Sequence, residues 1–483
     1  MKLQLLVGFF AIALVRSPAV EIEGLPAPAA PRPLNVQAPR EKTLANGLRV
    51  IVLERPALPL LSAKFVVRSG SEADPPKLSG LAKLTGDLLT KGTATRTAPE
   101  IARQVESLGA TLEVETAWDA IQIQLKTLSP NASAAFEILA DFVRNPKFAP
   151  EEIDRQRRQT LDELRVEWET PAPVARAVAA RAVLGTSPYA YPPNGTLASL
   201  PRVKRDDLIA LHRRNFVPAN ALIVMAGNVT ADEGFALADR TFGDWTAGDA
   251  PARPQASPTG QKPRAILIDL PHAGQAAVYF AALSLARTDT AFTIAEVTNA
   301  VLGTGYSSRL NQEIRLKRGL SYGVQSRLRA SREFGLFAAA CQTKNESAAE
   351  VVRVIQTELK RLATEPVPPD YLAARKAVLT GDFSRELETN EGYVNRIVEL
   401  ALHNLPLDAL AHRIERIDAV TAEEIGTCAA DHFLPDNMTV IVVGRAKEAA
   451  KSLRTIFPKL EVIPQPKLDL EAGALGASSS KAR

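Results

Sequence analysis

The spacing of apolar residues along the first half of the chain marks out a mixture of strands and helices. Leu48 to Leu53 and Ser62 to Val67 are short apolar runs that predict β-strands. Ala98 to Leu108 sets Ile101, Val105 and Leu108 on one face, which predicts an amphipathic helix. Leu112 to Leu125 alternates in part, through Ile121, Ile123 and Leu125, and predicts extended chain. Ala132 to Val143 and Glu151 to Val166 predict long helices. Pro150 stands where a first turn tolerates it, and Glu151 and Glu152 suit the positive end of the helix dipole. Strands separated by paired helices predict α+β layers rather than a doubly wound parallel sheet.

The same pattern occurs twice. Residues 216–227 read FVPANALIVMAG and residues 433–444 read FLPDNMTVIVVG, so Phe, Pro, Asn and Gly recur 217 positions apart. Upstream at that offset, Val203 with Asp206, Asp207 and Leu208 is matched by Val420 with Glu423, Glu424 and Ile425. The segment Pro146 to Asp154 is echoed by Pro366 to Ala374. Each copy predicts an acidic helix start, a Phe-x-Pro-x-Asn break and a short strand closed by Gly. The fold class is therefore α+β: two homologous α/β-layer domains related by internal duplication.

Composition places the boundaries. Gly248 to Arg264 holds four prolines among small and polar residues and predicts a linker. Residues 1–19 predict an export signal. Lys2 gives a basic start, Leu5 to Val15 an apolar run, and Ser17-Pro18-Ala19 a small-residue cleavage point. The run is shorter than the ~20 residues a membrane-spanning helix needs. Residues 20–41 predict a flexible lead-in and residues 463–483 a frayed tail. The two domains are then 42–247 and 265–462.

Charge and cysteines narrow the class. The 58 basic and 54 acidic residues are interspersed, which gives no footprint for nucleic acid. Cys341 and Cys428 permit one disulfide and equally permit two buried thiols. No Gly-x-Ser-x-Gly element occurs, and Gly303-Thr304-Gly305 lacks the pattern of a nucleotide loop. No histidine precedes His212.

Two segments carry a family resemblance. Gly80 to Thr93 reads GLAKLTGDLLTKGT and resembles the active-site helix of the M16 (pitrilysin, or inverzincin) metallopeptidases, with Gly80, Ala82, Leu88, Leu89, Lys91, Gly92 and Thr93 in register. That family holds zinc with two histidines four residues apart and uses a glutamate between them as general base. Those positions here are Lys83, Gly86 and Asp87. Deprotonating a lysine of ordinary pKa at pH 7 costs ~4.6 kcal/mol, Gly86 has no base, and one carboxylate is a weak ligand. Glu163, 76 residues after Asp87, matches the family's third ligand. The bland reading of Lys83 and Asp87 is an i,i+4 ion pair, extended by Glu163.

The second segment, Val301 to Val324, resembles the family's second-domain signature: Ser307-Ser308-Arg309-Leu310, then Arg315 and Tyr322 seven residues apart. In the family this pair faces the zinc centre across a chamber, where guanidinium and phenol donors suit a developing oxyanion. The resemblance, from about Leu44 to Phe457, implies a zinc-less subunit of a periplasmic, two-subunit zinc metallopeptidase. Inactive alone, the chain would carry no cofactor of its own. Zinc would belong to a partner bearing H-x-x-E-H, and Arg315 and Tyr322 would act in trans on a bound peptide. Peptides in such enzymes add as a strand to a sheet edge, and the corresponding first-half edge here falls near Ala117 to Leu125, with nothing in the sequence to mark it as used. The rival readings are a structural scaffold subunit, like the core proteins of respiratory complexes, and a peptide-binding module without hydrolysis.

Overall fold

A computed structural model describes residues 36–253, 261–473 and 475–476. The expected signal, most of the lead-in, the middle of the linker and the last residues of the tail lie outside the described residues.

The first half forms a six-stranded sheet. Its strands are β1 (Arg40–Thr43), β2 (Arg49–Glu54), β3 (Leu60–Val67), β4 (Thr111–Thr116), β5 (Ile121–Leu128) and β6 (Ala221–Gly227), in the order β1-β2-β6-β3-β5-β4. The second half repeats it with β7 (Ala265–Asp269), β8 (Ala276–Ser284), β9 (Val324–Ala330), β10 (Gly335–Thr343), β11 (Thr439–Gly444) and β12 (Glu461–Pro464), ordered β12-β7-β11-β8-β10-β9. Five strands correspond one to one, including the parallel pairs β2–β6 and β7–β11. The outermost strand is supplied differently: β1 precedes its sheet in sequence and runs antiparallel, whereas β12 follows its sheet and runs parallel.

One face of each sheet carries helices of its own half. Phe65, Phe136, Phe142 and Phe242 centre the first core, and Phe280, Phe337 and Phe433 the second. The other face is covered by exchange. Helix Pro171–Leu184 of the first half lays Val174, Val178 and Leu184 against Ile266, Ile268, Ile441 and Val443 of the second sheet. Helix Asn390–Leu402 of the second half lies on β3 and β6. There Lys64 Nζ donates to Asn395 Oδ1 at 2.7 Å, and Lys126 Nζ pairs with Glu391 at 2.9 Å. Both exchanged helices are apolar on much of their circumference, which suits burial against a foreign sheet.

Three expectations change. The extended stretch Leu112 to Leu125 is two strands, β4 and β5, with a tight tip between them where Ala117 N donates to Ala120 O at 2.9 Å. The tip lacks Gly, Pro and Asn; it is held by the buried side chains of Trp118 and Asp119. The sheet edge near Ala117 to Leu125 is consequently not an edge: β5 is paired on both sides, and β4 is the outermost strand. The tail is not frayed from Ile463. β12 runs on to Pro464, Gln465, Leu468 and Leu470 are buried, and Glu471 pairs with Arg202 at 2.9 Å. Prolines and charges around them conceal the two leucines in the sequence. Cys341 and Cys428 are free and buried, and burial pushes both thiols up to about 11. Among the described residues no helix is long and apolar enough to cross a membrane.

Candidate functional site

Helix Leu81–Leu89 starts at a point where only glycine fits. Gly80 has φ +94°, and a Cβ there would meet Gly195 Cα at 2.9 Å. The half-buried Asp74 closes the first turn, its carboxylate accepting from Gly80 N at 2.9 Å and Ala82 N at 2.8 Å. Burial raises Asp74 to about 8 despite those backbone donors. Leu81, Leu84, Leu88 and Leu89 fix the helix to the core beside β4 and β5.

On this helix Lys83 Nζ lies 2.5 Å from Asp87 Oδ1 and 2.6 Å from Oδ2, with the two side chains only 29% and 15% exposed. Gln156, from the long helix Pro150–Trp168, reaches Asp87 Oδ2 at 3.5 Å. Glu163, on the same helix, is exposed and accepts from Gln159 at 3.0 Å. The ion pair therefore extends to Gln156 and not to Glu163. No hydrogen bond or ion pair among the described residues joins Glu163 to Lys83 or Asp87. Gly86 permits close helix–strand packing: a Cβ would stand 2.7 Å from Thr116 Oγ1, 3.4 Å from Val114 Cγ1 and 3.5 Å from Ile121 Cγ2. The volume that a glutamate stem would need is taken by β4. These residues do not fit a tetrahedral zinc site, because the one nearby carboxylate is already claimed by an ammonium.

The second constellation follows helix Phe292–Gly303. The chain turns at Gly305, φ +79°, and enters a π-helical segment, Asn311–Lys317. Such segments are rare and widen the spacing between successive turns. The buried Leu310 and Ile314 anchor it. Asn311 ties three stretches together, donating to Gly305 O at 3.1 Å, Ser308 Oγ at 3.1 Å and Val324 O at 2.7 Å. Arg375 supports the turn from outside through Thr304 O at 3.0 Å and Ser307 Oγ at 2.9 Å.

Arg315 and Tyr322 are brought together: the guanidinium carbon is 4.5 Å from the Tyr322 ring centroid. It is also 4.8 Å from the centroid of Tyr306. Sequence reasoning passed over Tyr306, whose only signal was its place in the glycine turn. The two rings are 89% and 59% exposed for Tyr322 and Tyr306, so the clamped cation faces solvent. Nearby Glu313 is taken by Lys317 and Arg318, both at 2.5 Å, which leaves Arg315 with no carboxylate partner among the described residues. No hydrogen bond, ion pair or ring contact among the described residues links Arg315 or Tyr322 to Lys83 or Asp87.

Both halves match known families. Residues 49–192 match the family described as Insulinase (Peptidase family M16), and residues 202–379 match Peptidase M16 inactive domain. The chain belongs to peptidase family M16. Among M16 relatives, an uncharacterized zinc protease of Mycobacterium leprae (strain TN) is 28% identical over 80% of this chain and 87% of its own length. The Helicobacter pylori (strain ATCC 700392 / 26695) protein named non-peptidase homolog YmxG is 24% identical over 83% of this chain and 92% of its own. A crystal structure of a peptidase M16 inactive domain from Pseudomonas fluorescens aligns with a TM-score of 0.79 at 25% identity, covering 84% of this chain and 98% of that one. The first half of the periplasmic protease PqqL from Escherichia coli shares the fold with a TM-score of 0.69 at 15% identity, covering 86% of this chain and 94% of that one. Within the M16 frame, the segment that resembles the family's zinc-motif helix carries Lys83, Gly86 and Asp87 in place of the two histidines and the glutamate.

Proposed function

We propose that this chain is the non-hydrolytic subunit of a two-chain M16 metallopeptidase, exported to the periplasm. Its partner carries the H-x-x-E-H helix and the zinc, and this chain contributes Arg315 and Tyr322 in trans. The observation that carries the reading is the contrast between an occupied first-half position and a solvent-facing Arg315 that has no carboxylate partner among the described residues and lies against two phenol rings. A guanidinium and a phenol hydroxyl set at one surface are donors that can hold a peptide carbonyl and stabilise charge developing on it. A scaffold has no use for an exposed, carboxylate-free cation in that setting.

The test is reconstitution with a zinc-bearing M16 homologue. The lone chain should show no zinc-dependent peptidase activity, and the pair should show it. Arg315→Ala in the pair should lower kcat by ~10²–10³, the scale of losing a transition-state donor, with Tyr322→Phe lowering it less. Unchanged turnover in both variants would sink the role in trans. The name of the Helicobacter pylori relative, non-peptidase homolog, favours a second reading in which a peptide is held and not cut. Peptide binding without any partner-dependent turnover would support that instead.

A further inference from the structure

β9 leaves the Arg315/Tyr322 site as the outermost strand of the second sheet. Arg327 and Arg329 alternate along it and share a face with Tyr279, which lies two strands inward. The exchanged helix Pro171–Leu184 covers that face and adds the exposed Arg176. Arg329 also lies over the Trp118 ring, 4.8 Å from its centroid. Among the described residues none of Arg176, Arg327 and Arg329 forms an ion pair; Arg327 bonds only to Gln325, at 3.1 Å. Burial first, then the neighbouring Arg176 and Arg327 charges, hold Arg329 below the usual guanidinium range, offset in part by Tyr279. Like charges gathered without a counter-charge are costly in isolation and favour an incoming anion.

The backbone here is not free to add a strand at its start. Val324 O accepts from Asn311 and Ser326 O from Asn299, and Gly303 packs on Ser326 N. Recognition at β9 is accordingly by side chains. Arg327 and Arg329 stand five and seven positions beyond Tyr322, which at about 3.3 Å per residue is roughly 17–23 Å along an extended chain. We infer that Arg176, Arg327 and Arg329 form a carboxylate-recognition subsite for an acidic, extended peptide whose acidic side chains lie some residues away from the segment held at Arg315 and Tyr322. This names a substrate class and rests on the peptide-holding reading above.

The test is binding by the full chain alone, by fluorescence anisotropy. The probes are a labelled extended peptide with a glutamate cluster, and its glutamine and lysine counterparts of equal length. Inorganic polyphosphate serves as a competing anion. The glutamate peptide should bind about tenfold tighter than the glutamine peptide at low salt, and salt should erode the gap. Arg327→Gln with Arg329→Gln should reduce the gap to about twofold. Arg176→Gln, at an exposed helix position, should reduce it in part, and thermal melts should show all variants folded. Equal binding of the two peptides, or a gap that survives the double variant, overturns the proposal. So does polyphosphate binding as tightly as the peptide, which would mark a general anion patch. So does self-association on sedimentation that Glu113→Lys with Glu115→Lys abolishes, which would assign the arginines to a second copy. Because no turnover is measured here, unchanged turnover of the Arg315 variants in the two-chain complex beside an intact acidic preference would sink the role in trans alone.

Discussion

The two sheets share five corresponding strands, joined by the same four pairings, and have opposite outer characters. β4 and β9 are equivalent strands, yet β4 presents Glu113 and Glu115 while β9 presents Arg327 and Arg329. On the first sheet Lys64 and Lys126 share the acidic face and are themselves tied to Asn395 and Glu391 of the exchanged helix. On the second sheet Arg327 and Arg329 stand opposite Ala338 and Leu336, with Gln325, Tyr279, Trp118 and Arg176 around them and no carboxylate paired to them among the described residues. A second contrast lies beyond β3 and β8. Glu72 is buried after β3, with Asp119 and Tyr189 beside it, whereas Asp289, equally far beyond β8, is exposed and caps Ala291 N at 2.8 Å. Duplication has fixed the frame, and the two copies have since been filled differently: the first closed and charge-balanced, the second open and cationic.

The exchange of helices is the part the halves share, and it should be the most sensitive to change. Val178→Asp and Ile397→Asp each place an unpaired charge at a fully buried position, and each should cost ~3–5 kcal/mol in urea unfolding. Equal costs would keep the symmetry, and a large inequality would break it.

The buried carboxyl comes next. Burial, with Asp119 nearby, raises Glu72 to about 8 in the fold, against an ordinary value near 4.5. A raised carboxyl pKa means the folded state binds the extra proton, so the stability is present at low pH and lost as pH rises through the folded value. Between about pH 5 and about pH 8 the protein should lose ~2–4 kcal/mol through this group, and Glu72→Gln should flatten that part of the profile. An unchanged slope in Glu72→Gln would refute the assignment.

Gly86→Ala should destabilise by ~1–3 kcal/mol, since its Cβ meets Thr116 Oγ1, and Thr116→Gly should recover part of the loss. A neutral Gly86→Ala would show that β4 does not fill the base position. The smallest effect belongs to the ion pair. Lys83→Met should shift stability by no more than ~0.3–1 kcal/mol, measured by thermal melt, because the pair is partly exposed and spans one helix turn.

Much of this was legible in the residues alone. The 217-residue offset placed β6 and β11, the two strands at the centre of the duplication. The periodicity of Ala98 to Leu108 and Ala132 to Val143 gave helices observed at Ala98–Ser107 and Ala132–Arg144. The Lys83/Asp87 pair followed from i,i+4 spacing. The Ala117 to Ala120 tip was not legible, because it lacks turn residues and is held by partners distant in sequence. The short bond from the Tyr189 hydroxyl to Asp119 is one of them.

The sequence by itself determined what is local or repeated: the duplication, the class of element, and the loss of both histidines and the base from the zinc motif. Those depend on residue identity and on spacings within a turn or a strand. Tertiary structure decided everything that depends on which distant surfaces meet. It set both Tyr306 and Tyr322 against Arg315, gave Asp87 a neighbour in Gln156, packed β4 against Gly86, and laid a helix of each half on the other's sheet. Those contacts arise from the packing of apolar faces, and no pattern within a single segment encodes which face will be its partner.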